Sequence, residues 1–142
     1  MEYIDRGNLH DVLAADAETN IRLNTKLRIA RGVASGLSYI HNFKDNVTFC
    51  HGDLKPENVL LTRNFEVKLA DFGAASLLLA TGSLSTTLDF VSTNQQTLIY
   101  VAPEFLENPS LEKSPSMDMY RCVDMKQSKT LVKFPKLVYK SR

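Results

Sequence analysis

Apolar residues fall at helical spacing in the first third of this chain and at strand spacing after it. In residues 8 to 16, NLHDVLAAD, Asn8 suits a helix N-cap and Leu9, Val12 and Leu13 share one face, which predicts a short amphipathic helix. From Thr25 to Asn42, Leu27, Ala30, Ala34, Leu37 and His41 recur at three- and four-residue spacing, with Ile29, Val33 and Ile40 beside them. So wide a stripe predicts a long helix buried over most of its circumference. Gly32 and Gly36 cost helix propensity there and predict the close approach of a neighbouring backbone.

Short β-type runs follow at Val47 to Phe49, Val59 to Leu61 and Val67 to Ala70, the last two separated by the turn-like TRNFE. Between the first and second lies HGDLKPEN, whose polar residues and Pro56 predict a loop held between two strands. Residues 74 to 101 are rich in Ser and Thr, and no Lys or Arg occurs between Lys68 and Lys113. That stretch reads as a long irregular segment, functional or disordered.

With 44% hydrophobic and 23% charged residues, 142 residues have the mix of one soluble globular domain. Lys+Arg 17 against Asp+Glu 16 leaves a net charge of +1, which offers nothing to nucleic acid or an acidic membrane surface. The charge is unevenly placed. Residues 1 to 120 carry 10 basic and 15 acidic groups, whereas residues 121 to 142 carry 7 basic groups and one acidic group. The composition therefore breaks near residue 120. Cys50 and Cys122 match no metal-ligand spacing and read as reduced thiols. The longest aliphatic stretch, Leu77 to Ala80, is too short to cross a bilayer, and the N-terminus shows no secretion signal, so a cytoplasmic location is expected, with a membrane-attached parent protein as the alternative.

The informative constellation is His51-Gly52-Asp53-Leu54-Lys55-Pro56-Glu57-Asn58, then Asp71-Phe72-Gly73, then Ala102-Pro103-Glu104. In this order and spacing the three resemble the catalytic loop, the metal-binding turn and the end of the activation segment of eukaryotic protein kinases. The resemblance implies an α+β, protein-kinase-like fold: an incomplete large lobe over residues 1 to 120, mainly helical with short β-hairpins, the small lobe being absent. Residues 121 to 142 would be a basic tail outside the family. Between them, SPSMDMY resembles the start of the large lobe's central helix, with Asp118 anchoring the catalytic loop from below.

The resemblance also implies roles. Asp53 would accept the proton of a substrate hydroxyl, and Lys55 would offset charge on the transferring phosphoryl group. Asn58 and Asp71 would give oxygen ligands to Mg²⁺, while Gly73 allows a sharp turn and Phe72 packs inward. His51 would brace the loop. Glu2 and Ile4 would present backbone groups to the adenine of ATP, with Leu60 as the apolar floor beneath it and Met1 at the gatekeeper position. Asn8 falls where the family often contacts ribose, and equally suits a helix cap. Lys55 within DLKPEN and the Thr97-x-x-Tyr100 pair favour a serine/threonine protein kinase, using ATP and Mg²⁺ on a protein Ser or Thr hydroxyl. A catalytically inactive binding or regulatory fragment is one alternative. A small-molecule kinase, suggested by HGD, is the other.

Two departures qualify the resemblance. Gly52 stands where most regulated kinases carry an Arg that pairs with an activation-segment phosphate, which predicts that phosphorylation within 74 to 101 is not the ordering switch. After Tyr120 the sequence turns basic where the family continues into an apolar helix, so the rest of that helix is not expected. Glu104 is then expected to lack its later Arg partner, and either to be exposed or to lie on a mobile segment.

Overall fold

The computed structural model describes residues 4–15, 21–45, 47–79, 100–108, 111 and 113–124. The first helix, α1 (Leu9–Ala14), starts as its sequence dictates: the Asn8 side chain accepts from the Asp11 backbone N–H and seals the first turn. A cap of this kind is worth about 0.5–2 kcal/mol. Leu9 and Leu13 are the buried residues of α1.

The long helix, α2, spans Leu23–His41, beginning two residues before the predicted start. Its buried face is Lys26, Ile29, Val33 and Leu37, a narrow stripe at three- and four-residue spacing. The wide stripe expected from the sequence does not hold among the described residues, since Leu27 is 45% exposed and Ala34 also faces outward. The reason is that α2 packs on the strands from one side. Gly32 and Gly36 do mark a close approach, but to side chains and not to backbone. A Cβ on Gly32 would lie 2.7 Å from Val67 Cγ2, and one on Gly36 would lie 3.0 Å from Leu69 Cδ1.

Four short strands form two antiparallel pairs, β1 (Val47–Cys50) with β4 (Ser76–Leu79) and β2 (Val59–Leu61) with β3 (Val67–Leu69). The β2–β3 hairpin is thus nested inside the β1–β4 pair along the chain. β4 corrects the expectation of an irregular chain from residue 74. Its register sets Leu77 opposite Phe49 and Ser76 opposite Cys50, so backbone pairing supplies the order that the run itself does not announce. The chain before α1 joins the other pair, with Arg6 N–H donating to the Leu61 carbonyl and Leu61 N–H to the Gly7 carbonyl.

The core gathers Leu9, Leu13, Ile29, Val33, Leu37, Leu54, Val59, Leu61 and Tyr100. Burying a large aliphatic side chain of this kind contributes roughly 1.5–3 kcal/mol. Two further helices lie beyond the undescribed segment, α3 (Pro103–Glu107) and α4 (Pro115–Asp124). α4 continues four residues past Tyr120, contrary to the expected halt. Among the described side chains of α4, Met117, Asp118 and Arg121 are buried, and Asp118 and Arg121, three residues apart, share a face. Among the described residues, no helix is long and apolar enough to cross a membrane.

Candidate active site

The loop of residues 51–58 leaves β1 at Cys50 and enters β2 at Val59, and three attachments fix its path. Leu54, fully buried, plugs it into the core. Pro56–Asn58 closes a 3₁₀ turn ahead of β2. From the other side, the buried Asp118 carboxylate accepts the His51 backbone N–H at 2.7 Å on Oδ2 and the Gly52 N–H at 2.9 Å on Oδ1. His41 Nε2, at the end of α2, lies 2.9 Å from the same Oδ2. A single carboxylate therefore ties α2, α4 and the loop together.

His51 is fully buried and sits between two parts of the site. Its Nδ1 faces the Asp53 backbone N–H at 3.4 Å and its Nε2 lies 3.0 Å from the Ala70 carbonyl. This pairing calls for the tautomer with the proton on Nε2, which donates to Ala70. Burial holds its pKa below the ordinary 6.5, with Asp118 acting in the opposite sense. The ring is a brace between the loop and the residue before Asp71.

Two of the sequence-derived residues, Lys55 and Asn58, converge on a third, Asp53. Lys55 Nζ donates to Asp53 Oδ2 at 2.7 Å, and Asn58 Nδ2 donates to the Asp53 backbone carbonyl at 2.8 Å and to Oδ2 at 3.3 Å. The other oxygen, Oδ1, faces Arg121 Nη1 at 3.4 Å. Arg121 is a participant that the motif pattern missed. A signal for it existed: three residues after Asp118 on a helix, it had to share Asp118's face.

Asp71 follows β3 and caps a 3₁₀ turn over Phe72–Ala74, its Oδ1 accepting the Gly73 N–H at 3.3 Å. The left-handed residue of this turn is Asp71, at φ 61, and not Gly73. Aspartate tolerates that region better than most residues. At Gly73 a Cβ would make a tight contact, 3.2 Å, with Asp71 Oδ1. Phe72 stacks on His51 with ring centroids 4.8 Å apart, yet it is 44% exposed, so it does not pack inward as expected.

The donor set suits a hard cation in one specific way. Among the described residues, no group of three or more His, Cys, Asp or Glu could hold a metal. Asn58 commits its amide nitrogen to Asp53, so its amide oxygen is the atom it could offer to a cation. Asn58 and Asp71 together match the sparse protein ligation of Mg²⁺, which completes its shell with water and phosphate.

Of the residues assigned to the adenine side, Glu2 and Met1 lie outside the described residues. Ile4 is half-buried, and Leu60 on β2 forms an isolated bridge with Asn8. The Asn8 side chain is committed to the helix cap, with Oδ1 accepting from Asp11 N–H and Nδ2 donating to Asp11 Oδ2 at 2.9 Å.

Gly52 adopts φ +76, and a Cβ there would collide with the Ala74 carbonyl oxygen. The space beside it is held by Lys113, whose ammonium donates to that same carbonyl. Burial, and then the neighbouring Arg121, push the Lys113 pKa down. Lys113 carried no signal in the sequence, because its partner is 39 residues away. Glu104 is exposed, one of the two outcomes expected for it. Thr97 and most of the segment between β4 and α3 lie outside the described residues, as do residues 125–142.

Residues 1–125 match the protein kinase domain family. The chain is 40% identical over 121 residues to the putative receptor protein kinase ZmPK1 of Zea mays, covering 84% of this chain and 14% of that protein. It is 34% identical over 127 residues to receptor-interacting serine/threonine-protein kinase 1 of Homo sapiens, covering 84% of this chain and 18% of that one. A U-box domain-containing protein, number 70 of Oryza sativa subsp. japonica, is 35% identical over 120 residues, with 84% and 14% covered. The chain thus spans about a seventh to a fifth of the length of these relatives. With the family match covering most of its length, and with relatives that include serine/threonine kinases, the chain belongs to the protein kinase family.

Proposed function

We propose that this chain carries the catalytic loop and metal-binding turn of a serine/threonine protein kinase, corresponding to part of the large lobe over residues 1 to 120. The reaction is transfer of the ATP γ-phosphoryl group to a protein Ser or Thr hydroxyl. The observation that supports it best is the convergence of Lys55 and Asn58 on Asp53, on a loop whose backbone is pinned by Asp118.

In this reading Asp53 takes the proton as the substrate hydroxyl oxygen bonds to the γ-phosphorus and the bond to the bridging oxygen breaks, with ADP as the leaving group. Such proton acceptance contributes about 10²–10⁴ in rate. Lys55, with its ammonium on Asp53 Oδ2, would offset charge on the transferring group. Asn58 and Asp71 would hold Mg²⁺, which when bound neutralises phosphate charge. Ile4 and Leu60, with Glu2, would line the adenine side. Asn8 could reach a ribose only by giving up a bond to Asp11. Residues 121–142, by charge, stand apart from the family segment in this reading.

Two measurements test the proposal together: the thermal shift given by Mg·ATP, and transfer of labelled γ-phosphate to a protein acceptor. Stabilisation by Mg·ATP, with label on Ser or Thr that Asp53→Asn abolishes, is expected. No shift, and no label above the Asp53→Asn background, would overturn it.

A further inference from the structure

Arg121 is buried in α4, with 7% of its side chain exposed, and its guanidinium faces two carboxylates, Asp53 and Asp118. The Asp118 oxygens already accept from His51 and Gly52 and face His41. Asp53 is therefore the acceptor left to it, and the 3.4 Å contact runs to Oδ1, the oxygen that Lys55 and Asn58 leave open. A buried cation without a carboxylate partner is strongly unfavourable, so Arg121 is held against Asp53 by its own desolvation. Half-buried Lys113 lies close by, and burial first, then the Arg121 guanidinium, push its pKa down.

The position of this arginine also matters. Arg121 lies within the stretch that matches the protein kinase domain family and is the first residue of the basic run that follows Tyr120. Its helix is nevertheless formed through Asp124, so the same helix that anchors the loop through Asp118 aims the guanidinium one turn later at the loop's working carboxylate.

We propose that Arg121 is an occluding residue: by pairing with Asp53 Oδ1 it withholds the carboxylate from an incoming hydroxyl and keeps this form of the kinase chain suppressed. The proposal rests on reading Asp53 as the proton acceptor. Both oxygens of Asp53 then face a cation, Lys55 on Oδ2 and Arg121 on Oδ1, and a substrate hydroxyl must displace one of them.

The test uses the full 142-residue chain as parent, Arg121→Gln and Arg121→Met, the last filling the space with an apolar side chain in case loss of charge alone impairs folding. Carbodiimide coupling of the carboxylates to glycine ethyl ester, read by mass spectrometry, reports how open Asp53 is without requiring activity. Asp53 labelling relative to exposed Glu66 should rise about fivefold in whichever variant melts cooperatively, the size expected for loss of a direct pair. In the transfer assay the same variant should show a kcat about tenfold higher with the ATP KM within about twofold, since the contact concerns the hydroxyl and not the nucleotide. Unchanged Asp53 labelling would overturn the occlusion. Increased labelling with no transfer from any variant, and no Mg·ATP shift, would leave the occluding contact standing and sink the kinase reading of this chain instead. Labelling and transfer that both stay at parental values in Arg121→Gln and Arg121→Met would overturn the suppressing role.

Discussion

Asp118 holds His51 across 67 residues of sequence: its Oδ2 accepts the His51 backbone N–H at 2.7 Å, in a fully buried setting. The carboxylate also serves the Gly52 N–H and faces His41, so truncation strands several polar groups at once. Asp118→Ala should lower unfolding stability by about 3–5 kcal/mol, the usual result of removing one member of a buried charged network. Asp118→Asn, which keeps one acceptor, should cost less. Urea unfolding of the three chains checks the order; a cost for Asp118→Ala no larger than that of an exposed-site substitution would contradict the anchoring role.

Gly52 is expected to resist every side chain. Its φ of +76 disfavours L residues by roughly 1–2 kcal/mol. The Ala74 carbonyl also occupies the place of a Cβ. Restoring the family's usual residue with Gly52→Arg should therefore destabilise the chain and displace Lys113, not create a working phosphate clamp. Thermal melting of Gly52→Ala and Gly52→Arg beside the parent gives the answer, both falling below it.

His51 makes a pH prediction whose sign follows from its depressed pKa. Burial keeps the folded value below the ordinary 6.5, so between the two values the unfolded chain binds more protons than the folded one. Stability should hold above about pH 6.5 and fall as the pH drops below it. In His51→Gln, which preserves an amide donor for the Ala70 carbonyl, the slope of stability between pH 6.5 and about 5 should flatten. Equal slopes in parent and variant would show that His51 is not the group responsible.

Cys50 should be chemically quiet. Burial, with Asp118 next in importance, pushes its thiol pKa up to about 12, which leaves almost no thiolate near neutral pH. Alkylation of the folded chain with iodoacetamide, followed by peptide mass mapping, should modify Cys122 well before Cys50. In urea the two should react at similar rates.

Much of the local architecture was legible from residue order because it depends on neighbours in the chain. The Asn8 cap, the β2 and β3 runs on either side of TRNFE, and the loop fixed by Pro56 all come from interactions within a few residues. The candidate site is legible for the same reason: Asp53, Lys55 and Asn58 lie within six positions, so one loop conformation brings them together. β4 is not legible in its own run because its order comes from pairing with β1, and the apolar stripe of α2 is wider than its buried face because exposure depends on which side the strands cover.

By itself, then, the sequence determined that this is a kinase-family chain and which carboxylate is its candidate proton acceptor, since motif spacing and short-range geometry carry both. Only the tertiary structure decided what surrounds that carboxylate. Arg121 reaches Asp53 across 68 residues, and Lys113 fills the space beside Gly52, through the packing of α4 and its approach against the loop. The physical reason is burial: a guanidinium taken out of water must find a carboxylate, and only the folded chain determines which one is within reach.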